Sequence, residues 1–578
     1  MNKIIRINMS DLSTTCEEVP EAWAPLGGRA LTSTIVAAEV PPTCHPLGPY
    51  NKLVLAPGLL TGTIASNSGR LSAGCKSPLT GTIKECNGGG NVARQFALLG
   101  IKAIIIEGKP KDESKWYSMH INNDGVSFAE ETELIGQGTF ATVAAVTERY
   151  NNKKIGVICV GPAGEMRMNI SNISIKDPEG KIRSLGRGGL GALMGSKRIK
   201  FISVDDAGGP GIKIADQVRF KAAAKKFAAT IISHPVSGQG LPTYGTAVLV
   251  NILNEAGGLP TRNFTQGQFA AHEKFSGETI HDTIVERKGK PKHGCHQGCV
   301  IQCSQVYNDK DGKYLTSGFE YETVWGLGAD CCIEDLDDIA TVDNIMDDLG
   351  VDSIETPVMF GVAMEAGILP FGDGKGVIRM LREEVGKGTP LGHLLGGGTA
   401  LVGRAYGLTR VPVVKDQAIP AYDPRSVKGI GVTYAMSTQG ADHTMGYTIA
   451  TNILNVGGYV DPLKKDGQVE LSRNLQIATA AVDSTGMCVF IAFPALDNPE
   501  CMESLIEMLN SEYDLKLTGD DVVALGKTTL KTEHDFNLRA GFTNKDDRLP
   551  EFFTYEPIPP HNAIWDFSGE ELDAFWNF

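Results

Sequence analysis

Short runs of β-branched and other apolar residues, each bounded by turn formers, recur through the first 205 positions: NKLVLAPG, KAIIIEGKP, KIGVICVGPAG and KRIKFISVDD. Runs of this length and composition predict strands. The period changes at "DDAGGPGIKIADQVRFKAAAKKFAATII", where glycines and a proline end the strand pattern and apolar positions begin to recur at three and four. A domain boundary is therefore expected at 207/208. Beyond it, DDIATVDNIMDDLG, IETPVMFGVAMEAGIL, KGVIRMLREEVGKGTPLGHLL and SRNLQIATAAVDSTGM show helical spacing with glycine or proline stops. A second boundary is expected in the proline-containing, aperiodic "LTRVPVVKDQAIPAYDPR". The expected fold class is α+β: a β-rich domain over 1–207, then two mainly α-helical domains over 208–412 and 413–578. No fixed-period repeat of the solenoid kind is visible.

Composition narrows the function. The 578 residues carry a formal charge of −14, which argues against nucleic-acid binding because phosphate recognition needs a basic face. No stretch supplies about 20 apolar residues, and the start has no apolar core after a basic flank, so no membrane insertion is expected and the location is read as cytoplasmic. Disulfides are rare there, which leaves the 12 cysteines as small core residues, metal ligands or reactive thiols. The segment "RKGKPKHGC" (Arg287, Lys288, Lys290, Lys292) is a local basic exception. It reads either as a dock for an acidic electron acceptor or as an ordinary solvated loop.

Directly after it, "HGCHQGCVIQC" sets Cys295, Cys299 and Cys303 at intervals of four. Three thiolates leave one position open on an iron–sulfur cube, whose four irons each take one protein ligand. Zinc sites prefer paired C-x2-C knuckles, and the plain alternative is a helix with three cysteines on one buried stripe.

Two hexapeptides 136 positions apart share the form Asp-x-x-Gly-apolar-(Asp or Cys): "DDLGVD" (Asp347, Gly350, Asp352) and "DSTGMC" (Asp483, Gly486, Cys488). With the cysteines and with "SGRLSAGCKSPLTG", "NGGGNVARQFALLGIKAIIIEGK", "GRGGLGALMGSKRIK" and "YDPRSVKGIGVTYAMSTQGADHTMG", the chain resembles the tungsten-containing aldehyde ferredoxin oxidoreductase family along nearly its whole length. The departure is the spacing of Cys295 and Cys299, which have three residues between them where better-known members have two.

That resemblance implies a tungsten bis-pterin cofactor, with molybdenum as the alternative metal, a magnesium ion bridging the pterin phosphates, and one [4Fe-4S] cluster on Cys295, Cys299, Cys303 and Cys488. It implies that Asp347, Asp352 and Asp483 accept hydrogen bonds from pterin nitrogens at turns set by Gly350 and Gly486. Arg70, Asn87, Gly88, Gly89, Gly90, Arg187, Gly188 and Gly189 would hold the anionic end of the cofactor. It implies an acid/base pair beside the metal. Glu320 with His443 is the expected pair and Glu322 stays open, both glutamates being placed about one helical turn beyond the cysteines. The implied reaction is oxidation of an aldehyde to a carboxylic acid, with electrons passing to a ferredoxin or ferredoxin-like subunit, in a chain that can form homo-oligomers. The other readings are the catalytic subunit of a tungsten-dependent benzoyl-CoA reductase and, from another class, a non-catalytic iron–sulfur carrier.

Overall fold

The computed structural model describes residues 1–578. The four β-branched runs form strands as expected: β3 (Leu53–Pro57), β6 (Ile101–Glu107), β9 (Gly156–Cys159) and β12 (Ile199–Val204). They are central strands, buried on both faces, which is why they read as continuous rather than alternating apolar runs.

Two six-stranded sheets build the first domain. The first contains β1 (Lys3–Asn8), β2 (Ser13–Glu18), β3, β4 (Leu71–Lys76), β5 (Ile83–Gly88) and β6 in the order β2-β1-β6-β3-β4-β5. The second adds β7 (Tyr117–Asn122), β8 (Gly125–Glu130), β10 (Ile173–Lys176) and β11 (Ile182–Leu185), and runs β8-β7-β12-β9-β10-β11 from its far edge. The two orders are the same topology. In each sheet the first and sixth strands pair parallel and every other pair is antiparallel. The helices agree as well: 28–39 and 139–149 follow the second strand, while 92–98 and 190–196 lie between the fifth and sixth. The domain is thus an internal duplication, which no fixed-period sequence signal announced. Ile5, Leu53 and Ile104 of one sheet and Ile158, Ile173 and Ile202 of the other share one core.

From 217 onward the chain is mainly helical. The exceptions are a two-residue strand pair, Val413–Val414 with Gln417–Ala418, and a hairpin sheet of β13 (Lys290–His293), β14 (Ser304–Asn308) and β15 (Tyr314–Ser317), which brackets the cysteine segment. One hydrophobic core includes Leu253, Trp325, Val358, Ile430 and Phe575, so it continues across position 412 without interruption.

Candidate active site

The two hexapeptides end two long helices, 336–349 and 468–485, and each helix stops at a left-handed glycine, Gly350 (φ 70°) and Gly486 (φ 84°). Each glycine carbonyl accepts a hydrogen bond from the residue just before the fourth strand of one half: Asn172 N to Gly350 O at 2.8 Å, Arg70 N to Gly486 O at 3.1 Å. The residues after the third strands press on the same turns. A Cβ on Gly58 would lie 2.0 Å from Gly486 N, and one on Gly161 would lie 2.3 Å from Leu349 O. Only glycine permits this approach. The duplicated domain is therefore a pair of clasps, one for each hexapeptide.

The segment after Gly486 carries Cys488 to the cysteine loop. Residues 294–302 are irregular, with left-handed turns at Gly298 and Gln302, so the buried-helix alternative is not what forms. Cys295, Cys303 and Cys488 line one cavity of about 540 Å³ together with Arg70 and Gly89. Cys299 does not line this cavity; its sulfur accepts from Gln302 N at 3.3 Å and from Asn67 Nδ2 at 3.5 Å.

Glu320, Glu322, His443, Tyr422, Asp343, Asp347, Asp352, Arg183 and Arg187 line the same cavity. The β14–β15 hairpin separates Glu320 from Cys303, and Glu320 is the N-cap of the short helix 321–325. This corrects the expectation of one intervening helical turn. The two glutamates alternate outward from that N-cap and meet different partners. Glu320 accepts from Thr246 Oγ1 at 2.8 Å, and burial pushes its carboxyl up to about 7. Glu322 is paired with His443 Nε2 at 2.9 Å and accepts from Tyr422 OH at 3.3 Å; burial is the largest influence and opposes its charge, but His443 and the hydrogen bonds together hold it below the usual range. Two carboxyls pushed apart in this way can take different parts in acid/base chemistry. The direct partner of His443 is Glu322, and His443 Nδ1 is buried with no protein partner.

The hexapeptide carboxylates also differ. Asp347 lines the cavity, and its carboxyl receives no hydrogen bond from the protein, although its backbone carbonyl accepts from Thr139 Oγ1 at 2.8 Å; burial and then the charge of Asp343, one turn earlier, favour the protonated form of the carboxyl. Asp483 lies 3.4 Å from Arg29 Nη1, and Arg29 in turn makes a forked pair with buried Glu533 at 2.9 and 2.8 Å. Asp352 is occupied by Arg187 Nε at 3.1 Å and Ile354 N at 2.8 Å. The remaining Arg187 nitrogens donate to Ala441 O and Ala418 O, so its guanidinium ties the first hexapeptide to the 413–445 segment. Arg70 grips Asn87 through Nε and Nη2, and Asn87 Nδ2 is buried without a partner.

A Cβ on Gly88 would meet Ser184 O at 3.0 Å and one on Gly188 would meet Lys84 Cγ at 2.8 Å, so these glycines let the two halves approach each other. The basic run is largely neutralised: Arg287 pairs with Asp337 and Lys290 with Glu179, which leaves Lys288 and Lys292 as its exposed unbridged cations. Arg29, Asn67, Arg183, Thr246, Asp343 and Tyr422 were not anticipated. Tyr422 had a local cue, in "YDPRS", and Asp343 and Arg183 lie four positions before Asp347 and Arg187; Arg29, Asn67 and Thr246 meet the site only through contacts remote in sequence. No helix is long and apolar enough to cross a membrane.

Comparison with known proteins agrees with this geometry. The family description "Aldehyde ferredoxin oxidoreductase, N-terminal domain" matches residues 4–206, and "Aldehyde ferredoxin oxidoreductase, domains 2 & 3" matches 222–574. The tungsten-containing aldehyde ferredoxin oxidoreductases of Pyrococcus furiosus and Thermococcus kodakarensis are each 34% identical over 575 residues, covering 96% of this chain and 92% of theirs. A WOR-like subunit of an aliphatic sulfonate oxidoreductase from Pyrococcus furiosus is 25% identical, covering 92% of this chain and 85% of its own. The active-site complex BamBC of benzoyl coenzyme A reductase shares the fold, with a TM-score of 0.80 at 18% identity over all of this chain and 93% of that one. With both family regions matched and a third of positions shared along nearly its full length, the chain is an oxidoreductase that belongs to the aldehyde ferredoxin oxidoreductase family.

Proposed function

We propose that the chain oxidises aldehydes to carboxylic acids at a tungsten bis-pterin centre, and that one [4Fe-4S] cluster on Cys295, Cys299, Cys303 and Cys488 connects the centre to a ferredoxin or ferredoxin-like subunit. The observation that carries this reading is the meeting, in one cavity, of cysteines almost 200 positions apart with Glu320, Glu322, His443 and the first hexapeptide. The residues fit such a cofactor. Asn87 Nδ2 is a buried donor with no protein partner beside Arg70, and Asp347 is a cavity carboxyl with none. Buried polar groups left in this state point to a ligand that completes them.

Asp347, Asp483, Arg70 and Asn87 would hold the pterins. When bound, the centre supplies two-electron redox chemistry and activation of water. The overall change, aldehyde plus water to acid with two electrons and two protons released, requires the protein to take up protons. Glu320 fits that task because its carboxyl changes state near neutral pH. Glu322 fixes the ring of His443 through Nε2, which leaves Nδ1 for the substrate oxygen. Above these groups Val236, Leu454, Phe490 and Phe493 give the cavity apolar walls that exclude water from the carbonyl.

Glu320 accepts a proton only when ionised, so kcat/KM should rise with pH and level above about 7. Glu320→Gln should cut turnover by roughly 10²- to 10⁴-fold, with metal content unchanged. Full activity in that variant would move the proton-accepting role elsewhere. Turnover of benzoyl-CoA but of no aldehyde would replace the reaction assignment itself.

A further inference from the structure

Asn67 spends all four of its polar groups on the two cysteine segments. It is fully buried, with φ of 61°, on the loop that joins β3 to β4 in the first half. Its backbone N–H donates to Gly298 O at 3.1 Å and its carbonyl accepts from Cys488 N at 2.9 Å. The side-chain Oδ1 accepts from Val300 N at 3.2 Å, and Nδ2 donates to Cys299 Sγ at 3.5 Å. One side therefore holds the 298–300 turn and the other the residue nearly 190 positions later.

The loop is in no position to drift. Leu59, Leu60 and Ala65 pack with Ile301, Met487 and Ile491 in a single apolar cluster, so both cysteine segments are pressed against the same support. Within that support Asn67 is the residue that bonds to both. Its side-chain amide is also a specific choice. Serine could not reach two partners, and aspartate would face the sulfur with an oxygen where an N–H now points. An N–H aimed at a ligand sulfur stabilises added negative charge, and it is one of the levers by which a protein sets the potential of an iron–sulfur centre.

We propose that Asn67 is a positioning residue for the iron–sulfur site, setting the spacing of the Cys299 and Cys488 segments and raising the cluster's reduction potential through its bond to the Cys299 sulfur. This rests on the cluster reading given above.

The test uses the full-length chain purified without oxygen, with iron analysis and an EPR-monitored redox titration. Asn67→Asp keeps the size and the acceptor for Val300 N but loses the donor. At a fixed poise its oxidised-to-reduced ratio should rise about tenfold, equivalent to a potential about 59 mV more negative for one electron. Asn67→Gly keeps the left-handed backbone and both main-chain bonds while losing the side chain. It should shift the potential in the same direction and release iron to a chelator about tenfold faster, as expected for side-chain bonds worth on the order of 1 kcal/mol. If the aspartate variant fails to fold, the glycine variant carries the measurement. Both variants titrating with the wild type would overturn the proposal, even if they lost iron faster, because a purely structural role moves retention and not potential. A wild-type chain that contains no iron would instead remove the cluster reading on which the proposal stands.

Discussion

The two halves of the first domain clasp their hexapeptides by the same backbone rule and treat the carboxylates they present in opposite ways. In both, the residue ahead of the fourth strand donates to the hexapeptide glycine, and a glycine after the third strand lies against the turn. Yet Asp483 is met by Arg29, itself forked onto Glu533, whereas Asp347 is met by another carboxyl, Asp343, and by no cation within ion-pair distance. Burial lifts Asp483 only to about 6 because Arg29 and Arg70 oppose it, so at neutral pH it is an ionised acceptor. Burial and the charge of Asp343 push the Asp347 carboxyl well above the usual range, which favours its neutral form. The comparison teaches that a duplicated frame can fix where two carboxyl groups stand while local charges decide what each can do.

The largest effect should come from the cation that exists on one side only. Arg29→Met leaves Glu533 buried and uncompensated, and breaking one partner of a buried pair costs about 3–5 kcal/mol. Denaturant unfolding should show that loss, while Asp347→Asn should cost less than about 1 kcal/mol, since the amide resembles the neutral acid. Equal losses would mean that the charge difference has no energetic weight.

Cofactor retention sharpens the same contrast. Asp483→Asn removes an ionised acceptor and should lower tungsten content roughly tenfold, in keeping with about 1.5 kcal/mol for a charge-assisted bond. Asp347→Asn should keep most of it. The reverse order would exchange the roles of the two carboxyls.

The shared part of the design should respond alike in both halves. Gly58→Ala and Gly161→Ala each force a methyl into backbone atoms at 2.0 and 2.3 Å, and should each destabilise by about 1–3 kcal/mol in thermal unfolding. A loss on one side only would reduce the duplication to a likeness of topology.

Much of this was legible in the residues. The central strands announced themselves because a strand buried on both faces must be continuously apolar, and the long helices 336–349 and 468–485 because their apolar spacing ends at glycine. The cysteines were found from their spacing, and the hexapeptides from their likeness to a family signature. The duplication was not, because the clasp requires a small residue at only a few points per half and leaves the rest of each sequence free. The choice of Glu322 as the partner of His443 was not legible either. Glu320 and Glu322 both line the cavity, and only the folded geometry decides which oxygen lies 2.9 Å from the ring. Arg29 and Glu533 lie 504 positions apart, beyond any pattern argument. The family resemblance implies that Arg187 holds the anionic end of the cofactor; that its donors meet Asp352, Ala441 and Ala418 is visible only in the fold.

The central claim is that one cavity joins an iron–sulfur cluster to a tungsten pterin. The most direct test is the iron and tungsten content of the chain purified without oxygen, read beside its aldehyde oxidation. The account predicts about four irons and about one tungsten per chain, with both needed for turnover. An active enzyme that holds neither metal would contradict it.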